Sequence, residues 1–74
     1  MVRIEGKRAI NKIGEKMVAV LDLQVSSVDK LPALGSTVAE YVVAEGSIAQ
    51  IIQPWQFATL EEDGKWYADG EEIG

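Results

Sequence analysis

Cysteine and histidine are both missing from the chain. Their absence excludes a disulfide framework, a thiol nucleophile, an imidazole base and zinc sites of the usual kind. Long apolar runs are missing too. The longest is the five residues from Met17 to Leu21, far below the ~20 that a membrane-spanning helix needs. The first residues carry Arg3, Glu5, Lys7 and Arg8 where a secretion signal would place an apolar segment, so the chain is expected to stay in a reducing cytoplasm without a membrane anchor. Basic residues are few, seven against twelve acidic ones. Nucleic acid is therefore not an expected partner, because phosphate binding needs a concentrated basic surface.

What remains is a chain of 74 residues, enough for one domain. A domain of this size hides only ~60% of the surface its unfolded chain exposes, so its core is thin. With no disulfide or usual metal site to reinforce it, association with other chains is the expected compensation, as a homo-oligomer or as a subunit of a larger assembly. The charges are unevenly placed. Residues 1–30 carry six basic side chains against four acids, a net +2, whereas residues 31–74 carry Lys65 against eight acids, a net −7. Such asymmetry either steers copies into head-to-tail contact or belongs to ordinary solvated faces.

Val2 and Ile4 alternate with Arg3 and Glu5, which predicts a short strand ending near Gly6. Ile10, Ile13 and Met17 fall at helical spacing, which fits a turn or two of helix or a loop with apolar anchors. Residues 16–26 read as a strand, with Met17, Ala19, Leu21, Leu23 and Val25 on one side and Asp22 and Gln24 on the other. This is the expected central strand, covered on both sides at its start by Val18 and Val20. Residues 26–35 hold Pro32 and Gly35 and read as a connection with one helical turn, pinned by Leu31 and Leu34. The chain then echoes itself: Gly35-Ser36-Thr37-Val38-Ala39 is followed by Gly46-Ser47-Ile48-Ala49. Both are turn signals feeding strands, with glycine supplying an unusual backbone angle and serine a local hydrogen bond. Thr37 and Glu40 also match a helix capping box, which leaves a short helix open for the residues up to Gly46.

Pro54 predicts a bulge or an edge strand after Ile52. Beyond it, Glu62-Asp63-Gly64 predicts a three-residue hairpin loop with Gly64 in the left-handed region, which sets Glu61 against Lys65 and Leu60 against Trp66. In that register Ala58, Leu60, Trp66 and Ala68 share one face, and Phe57, Thr59 and Tyr67 the other. Four of the five aromatic residues, Trp55, Phe57, Trp66 and Tyr67, lie in this region. They either complete the core or form a contact surface. The expected fold is mostly β: a small antiparallel sheet or partly open barrel of about five or six short strands, with a C-terminal hairpin and at most one short helix.

Catalytic signals are poor. Ser26, Ser27, Ser36 and Ser47 have no activating base in view. Glu61, Glu62, Asp63, Asp69, Glu71 and Glu72 supply carboxylates, but a glycosidase-like pair needs a cleft that so small a domain does not readily build. Asp63, Asp69, Glu71 and Glu72 lie near two turns without the alternating spacing of a calcium loop. No cofactor, metal site or catalytic residue is expected.

The succession Leu31-Pro32, Gly35-Ser36, Gly46-Ser47-Ile48-Ala49, Phe57-Ala58-Thr59-Leu60, Asp63-Gly64 and Trp66-Tyr67 resembles small phage- and prophage-encoded proteins that accompany virion structural genes, among them head-fibre, neck and tail-associated proteins. The N-terminal 25 residues lie outside this pattern. The resemblance implies a non-enzymatic structural subunit or adaptor, placed in the virion after synthesis in the bacterial cytoplasm, that binds its own copies or other virion proteins. The contact residues expected on that basis are Trp55, Phe57, Trp66 and Tyr67, with Arg3, Lys7 and Arg8 as electrostatic partners of an acidic neighbour. Two alternatives are a carbohydrate- or ligand-binding module stacking on Trp55, Trp66 and Tyr67, and a phage-encoded regulator of a host protein.

Overall fold

The computed structural model describes residues 2–73. Eight strands form one open, mixed sheet: β1 (Val2–Ile13), β2 (Lys16–Val25), β3 (Thr37–Val38), β4 (Tyr41–Val43), β5 (Ile48–Ile51), β6 (Gln56–Leu60), β7 (Trp66–Ala68) and β8 (Glu71–Ile73). The mostly β expectation holds, but the sheet is mixed where an antiparallel one was expected and has eight strands in place of five or six. A single 3-10 turn, Val28–Lys30, sits within the connection after β2, where one helical turn was expected. The sheet runs β3-β4-β2-β5-β6-β7-β8, and β1 pairs with the remaining edge of β2. None of the described helices is long and apolar enough to cross a membrane.

β2 is the central strand, as its alternation predicts. Ala19, Leu21, Leu23 and Val25 are buried to 2% exposure or less. They pack with Val43, Ala49, Ile51, Ala58, Leu60 and Trp66 into one apolar cluster on the inner face. The start of β2 departs from expectation: Met17 is exposed and Val18 and Val20 are half-buried, so cover arrives only from Ala19 onward. The connection across residues 26–36 folds over the inner face, with Val28 and Leu31 against the cluster. Leu34 is exposed and does not pin it. This crossover makes β4 and β5 run parallel to β2, because parallel neighbours need a connection of about a dozen residues or more.

β1 overturns two expectations. It does not stop near Gly6, and residues 10–17 form no helix. A two-residue turn, Gly14-Glu15, joins β1 to β2, with Ile13 opposite Lys16. The ladder is irregular between Ile4 and Gly6 and again between Ala9 and Asn11. Each bulge shifts the alternation by one residue, so a real strand reads as aperiodic and its apolar residues fall by accident at helical spacing.

The helix left open for residues 37–45 is absent. β3 and β4 form a tight hairpin there, with Val38 opposite Tyr41 and Ala39 at φ 54. The echoed glycine-serine pairs are two copies of one turn. Gly35 and Gly46 have φ of 81 and 89, and the hydroxyls of Ser36 and Ser47 donate to the carbonyls of Ala33 and Ala44 at 2.6 and 2.7 Å. Pro54 lies in the turn between β5 and β6 and not in a strand. The β6–β7 hairpin has the expected register: Leu60 faces Trp66, Thr59 faces Tyr67, and Gly64 takes φ 83. The β7–β8 hairpin was not foreseen. Its two-residue turn, Asp69-Gly70, has positive φ at both positions, the backbone that suits the twist of a tight hairpin.

Candidate interaction surface

Residues opposite one another on paired strands share a face of the sheet, so the ladders sort the seven expected contact residues. One outer row runs Arg3, Gln24, Gln50, Phe57 across β1, β2, β5 and β6. The next runs Asp22, Ile48, Thr59, Tyr67, Glu72 from β2 to β8. Arg8, opposite Val20, lies on the same outer face. Trp55 projects from the β5–β6 turn and meets Phe57 edge-on, with ring centroids 5.9 Å apart at 76°. Arg3, Arg8, Phe57 and Tyr67 thus share the outer face, with Trp55 against Phe57.

Trp66 does not join this face, and Lys7 reaches it only along the wall of a depression that it shares with Arg8. Trp66 is 5% exposed, packed on the inner face, with its indole N–H donating to the Pro32 carbonyl at 2.7 Å. It is core, and its place among the contact residues is corrected. It faces Leu60, and a single residue's parity decides which side that is. Lys7 lies opposite Leu21, on the inner side, and its ammonium stands 4.8 Å from the centre of the Tyr41 ring. That cation–π contact closes one end of the core.

The exposed apolar side chains of the outer face include Trp55 (64% exposed), Phe57 (58%) and Ile48 (43%), with Ile13 (63%) at the far end of β1. Ile48 carried no sequence signal as a surface residue, because it sits in an apolar run shared with buried Ala49 and Ile51. Beside it is a depression of about 320 Å³ lined by Lys7, Arg8, Val20, Asp22, Gly46 and Ile48. Its walls combine two cations, one carboxylate and two aliphatic side chains, a mixture suited to contact with a protein surface.

A second depression, of about 360 Å³, lies at the acidic end among Glu61, Glu62, Asp63, Tyr67 and Gly70. The Tyr67 hydroxyl donates to Asp63 Oδ2 at 2.5 Å, and Asp63 Oδ1 accepts the Lys65 backbone N–H at 2.9 Å. The Tyr67 bond is the largest cause holding Asp63 below the usual carboxylate range, and the same bond is the largest cause pushing the Tyr67 phenol up to about 12. Glu72 pairs with Lys65 at 3.4 Å. Asp63 and Glu72 thus turn to separate partners, and among the described residues no group of three or more carboxylates is placed to hold a metal ion.

The Tyr67–Asp63 bond yields a pH prediction of definite sign. A raised phenol value means that the bond's stabilisation is present below the unfolded value of ~10 and is lost as pH rises through the folded value. A lowered Asp63 value means stabilisation present above ~4 and lost as pH falls through its folded value. Absorbance titration of tyrosinate should place Tyr67 at about 12, and Asp63→Asn should return it toward ~10. An unmoved titration in that variant would contradict the bond.

No family model, no curated protein and no solved structure matches this chain.

Proposed function

We propose that this protein is a non-enzymatic assembly protein of a phage or prophage virion, a structural subunit or adaptor that works by protein–protein contact. The observation that carries the reading is the exposed Trp55–Phe57 pair on the same outer face as Arg3 and Arg8. Aromatic and arginine side chains are the residues that most often dominate binding energy at protein interfaces. A Trp and a Phe left in water on a domain with so small a core favour an external partner over internal packing. The resemblance of the stretch from Leu31 to Tyr67 to virion-associated proteins supplies the virion as the setting.

Particles purified from cells carrying the gene should contain the chain at fixed stoichiometry by quantitative mass spectrometry. Trp55→Ala combined with Phe57→Ala should fold, with a urea midpoint close to that of the parent, and be lost from the particles. Particles lacking the parent chain would overturn the proposal. Saturable glycan binding that depends on Trp55, together with that absence, would replace it with a carbohydrate-binding module.

A further inference from the structure

The sheet ends in one long open edge. β1 pairs with β2 alone, and among the described residues no backbone–backbone hydrogen bond outside that ladder involves residues 2–13, although the Lys12 N–H donates to Asn11 Oδ1 at 2.8 Å. The distal part of the β1–β2 hairpin is also uncovered. Ile10 and Ile13 are more than half exposed and Met17 over a third, although such side chains are ordinarily packed. Arg8, Lys12 and Lys16 stand among them. Over residues 2–16 the hairpin carries five basic side chains against Glu5 and Glu15, a net +3.

The opposite end of the sheet has the complementary character. β8 pairs with β7 alone, and Glu71 and Glu72 on it are exposed, as are Glu61 and Glu62. Residues 61–73 carry six acids against Lys65, a net −5. Basic side chains on an edge strand discourage indiscriminate pairing. They do not discourage an acidic edge.

We infer that the basic β1–β2 hairpin of one copy docks on the acidic β7–β8 end of a second copy, so that the chain associates head to tail. This rests on the reading of the protein as an assembly subunit and names the partner as the chain itself. Charge decides between this arrangement and a two-fold one. Antiparallel pairing of β1 with β1 about a two-fold axis near its middle must match residues of the same face, which sets Lys7 against Lys7 or Arg8 against Arg8 of the second copy, and like charges directly opposite are destabilising. In the head-to-tail contact a hairpin of net +3 meets an end of net −5, and the exposed Ile10 and Ile13 lie at the joint. A heterologous contact of this kind continues from copy to copy until it closes into a ring or extends as a filament, which is how a small domain generates an extended structure.

Analytical ultracentrifugation of the full chain with two charge-reversed variants tests the inference. The parent should self-associate at low ionic strength and weaken as salt is added. Arg8→Glu with Lys12→Glu, and separately Glu62→Lys with Glu71→Lys, should each raise the dissociation constant by about tenfold or more. These four side chains make none of the core contacts, so both variants should keep the parent's circular dichroism. An equimolar mixture of the two variants should recover heterodimers, because the unaltered hairpin (+3) of the Glu62→Lys, Glu71→Lys variant then meets the unaltered end (−5) of the Arg8→Glu, Lys12→Glu variant. A parent that stays monomeric at low salt overturns the inference, as does a mixture that stays monomeric or a variant that associates as well as the parent. If particles nevertheless contain the chain, the assembly role stands and only the self-contact falls. If copies associate as described and particles lack the chain, the virion role falls and the contact stands.

Discussion

Trp66→Ala should remove most or all of the stability of this domain. The indole is buried among the inner-face cluster, beside Leu60 across the ladder and against half-buried Ile73. Truncating a buried tryptophan costs about 3–5 kcal/mol in lost transfer energy and cavity. Typical stability of ~0.05–0.15 kcal/mol per residue places a domain of this length at only about 4–11 kcal/mol. The indole N–H also ties the 26–36 connection to the sheet through Pro32, so the loss extends to the cover of the core. Urea denaturation should show a midpoint far below that of the parent, or no cooperative transition. Trp66→Phe retains most of the packing and should lose about 1–2 kcal/mol with the hydrogen bond. Trp55→Ala supplies the contrast. That side chain is 64% exposed and its removal should change stability by no more than about 0.5 kcal/mol. A Trp66→Ala protein with the parent's midpoint would contradict the assignment of this residue to the core.

That two tryptophans eleven positions apart meet such different fates was half legible. The acidic-glycine turn fixed the β6–β7 register, and the register separated Leu60 and Trp66 from Thr59 and Tyr67. Which of those two faces is inner depends on what covers them. The cover comes from residues 26–36, through a crossover that makes β4 and β5 parallel to β2. Nothing local in the sequence states such a long-range pairing. The same limit applied to the cations. Arg3 and Arg8 belong with Phe57 only because β1 runs beside β2 for its whole length, and Lys7 belongs to the inner side only because of the bulge between Ile4 and Gly6. A bulge inverts the facing of every residue beyond it, so the charged residues of β1 could be identified but not sorted.

β8 was lost for a different reason. Three-residue strands are too short for alternation to register, so the turn beside Asp69 did not by itself disclose a strand on its far side. Where the sequence carried an unambiguous local device it was read correctly. The glycine-serine echo named two turns, and the structure adds a hydroxyl-to-carbonyl bond closing each. The repeat does not disclose that its two copies have different jobs.

Ser47→Ala should therefore be far more damaging than Ser36→Ala, although the two serines close the same turn. Ser47 is completely buried, and it sits where the ladder beside β2 breaks. Ala19 pairs with Val43 and Asp22 with Ile48, so Val20 and Leu21 are spanned by the four residues 44–47. The break strands a backbone donor. Leu21 N–H lies between β4 and β5 with no strand carbonyl opposite it, and it donates instead to Ser47 Oγ at 3.0 Å. The hydroxyl itself donates to the Ala44 carbonyl at 2.7 Å, while the Ser47 carbonyl accepts Leu60 N–H at 2.9 Å. One side chain thus repairs the central strand and fixes the turn that carries the chain from β4 to β5. Alanine leaves the Leu21 N–H buried without an acceptor, at a cost of about 1–3 kcal/mol. Ser36 makes its turn bond near solvent, where water replaces a lost hydroxyl, and its alanine variant should cost no more than about 1 kcal/mol. Threonine at position 47 keeps the hydroxyl but adds a methyl group where no space is exposed, and should also destabilise by about 1–3 kcal/mol. Paired urea titrations give the ordering, and hydrogen exchange gives the site: the Leu21 amide should lose protection in Ser47→Ala more than its neighbours in β2. Equal costs for the two alanine variants, with Leu21 still protected, would mean that the break in the ladder is satisfied by some other group.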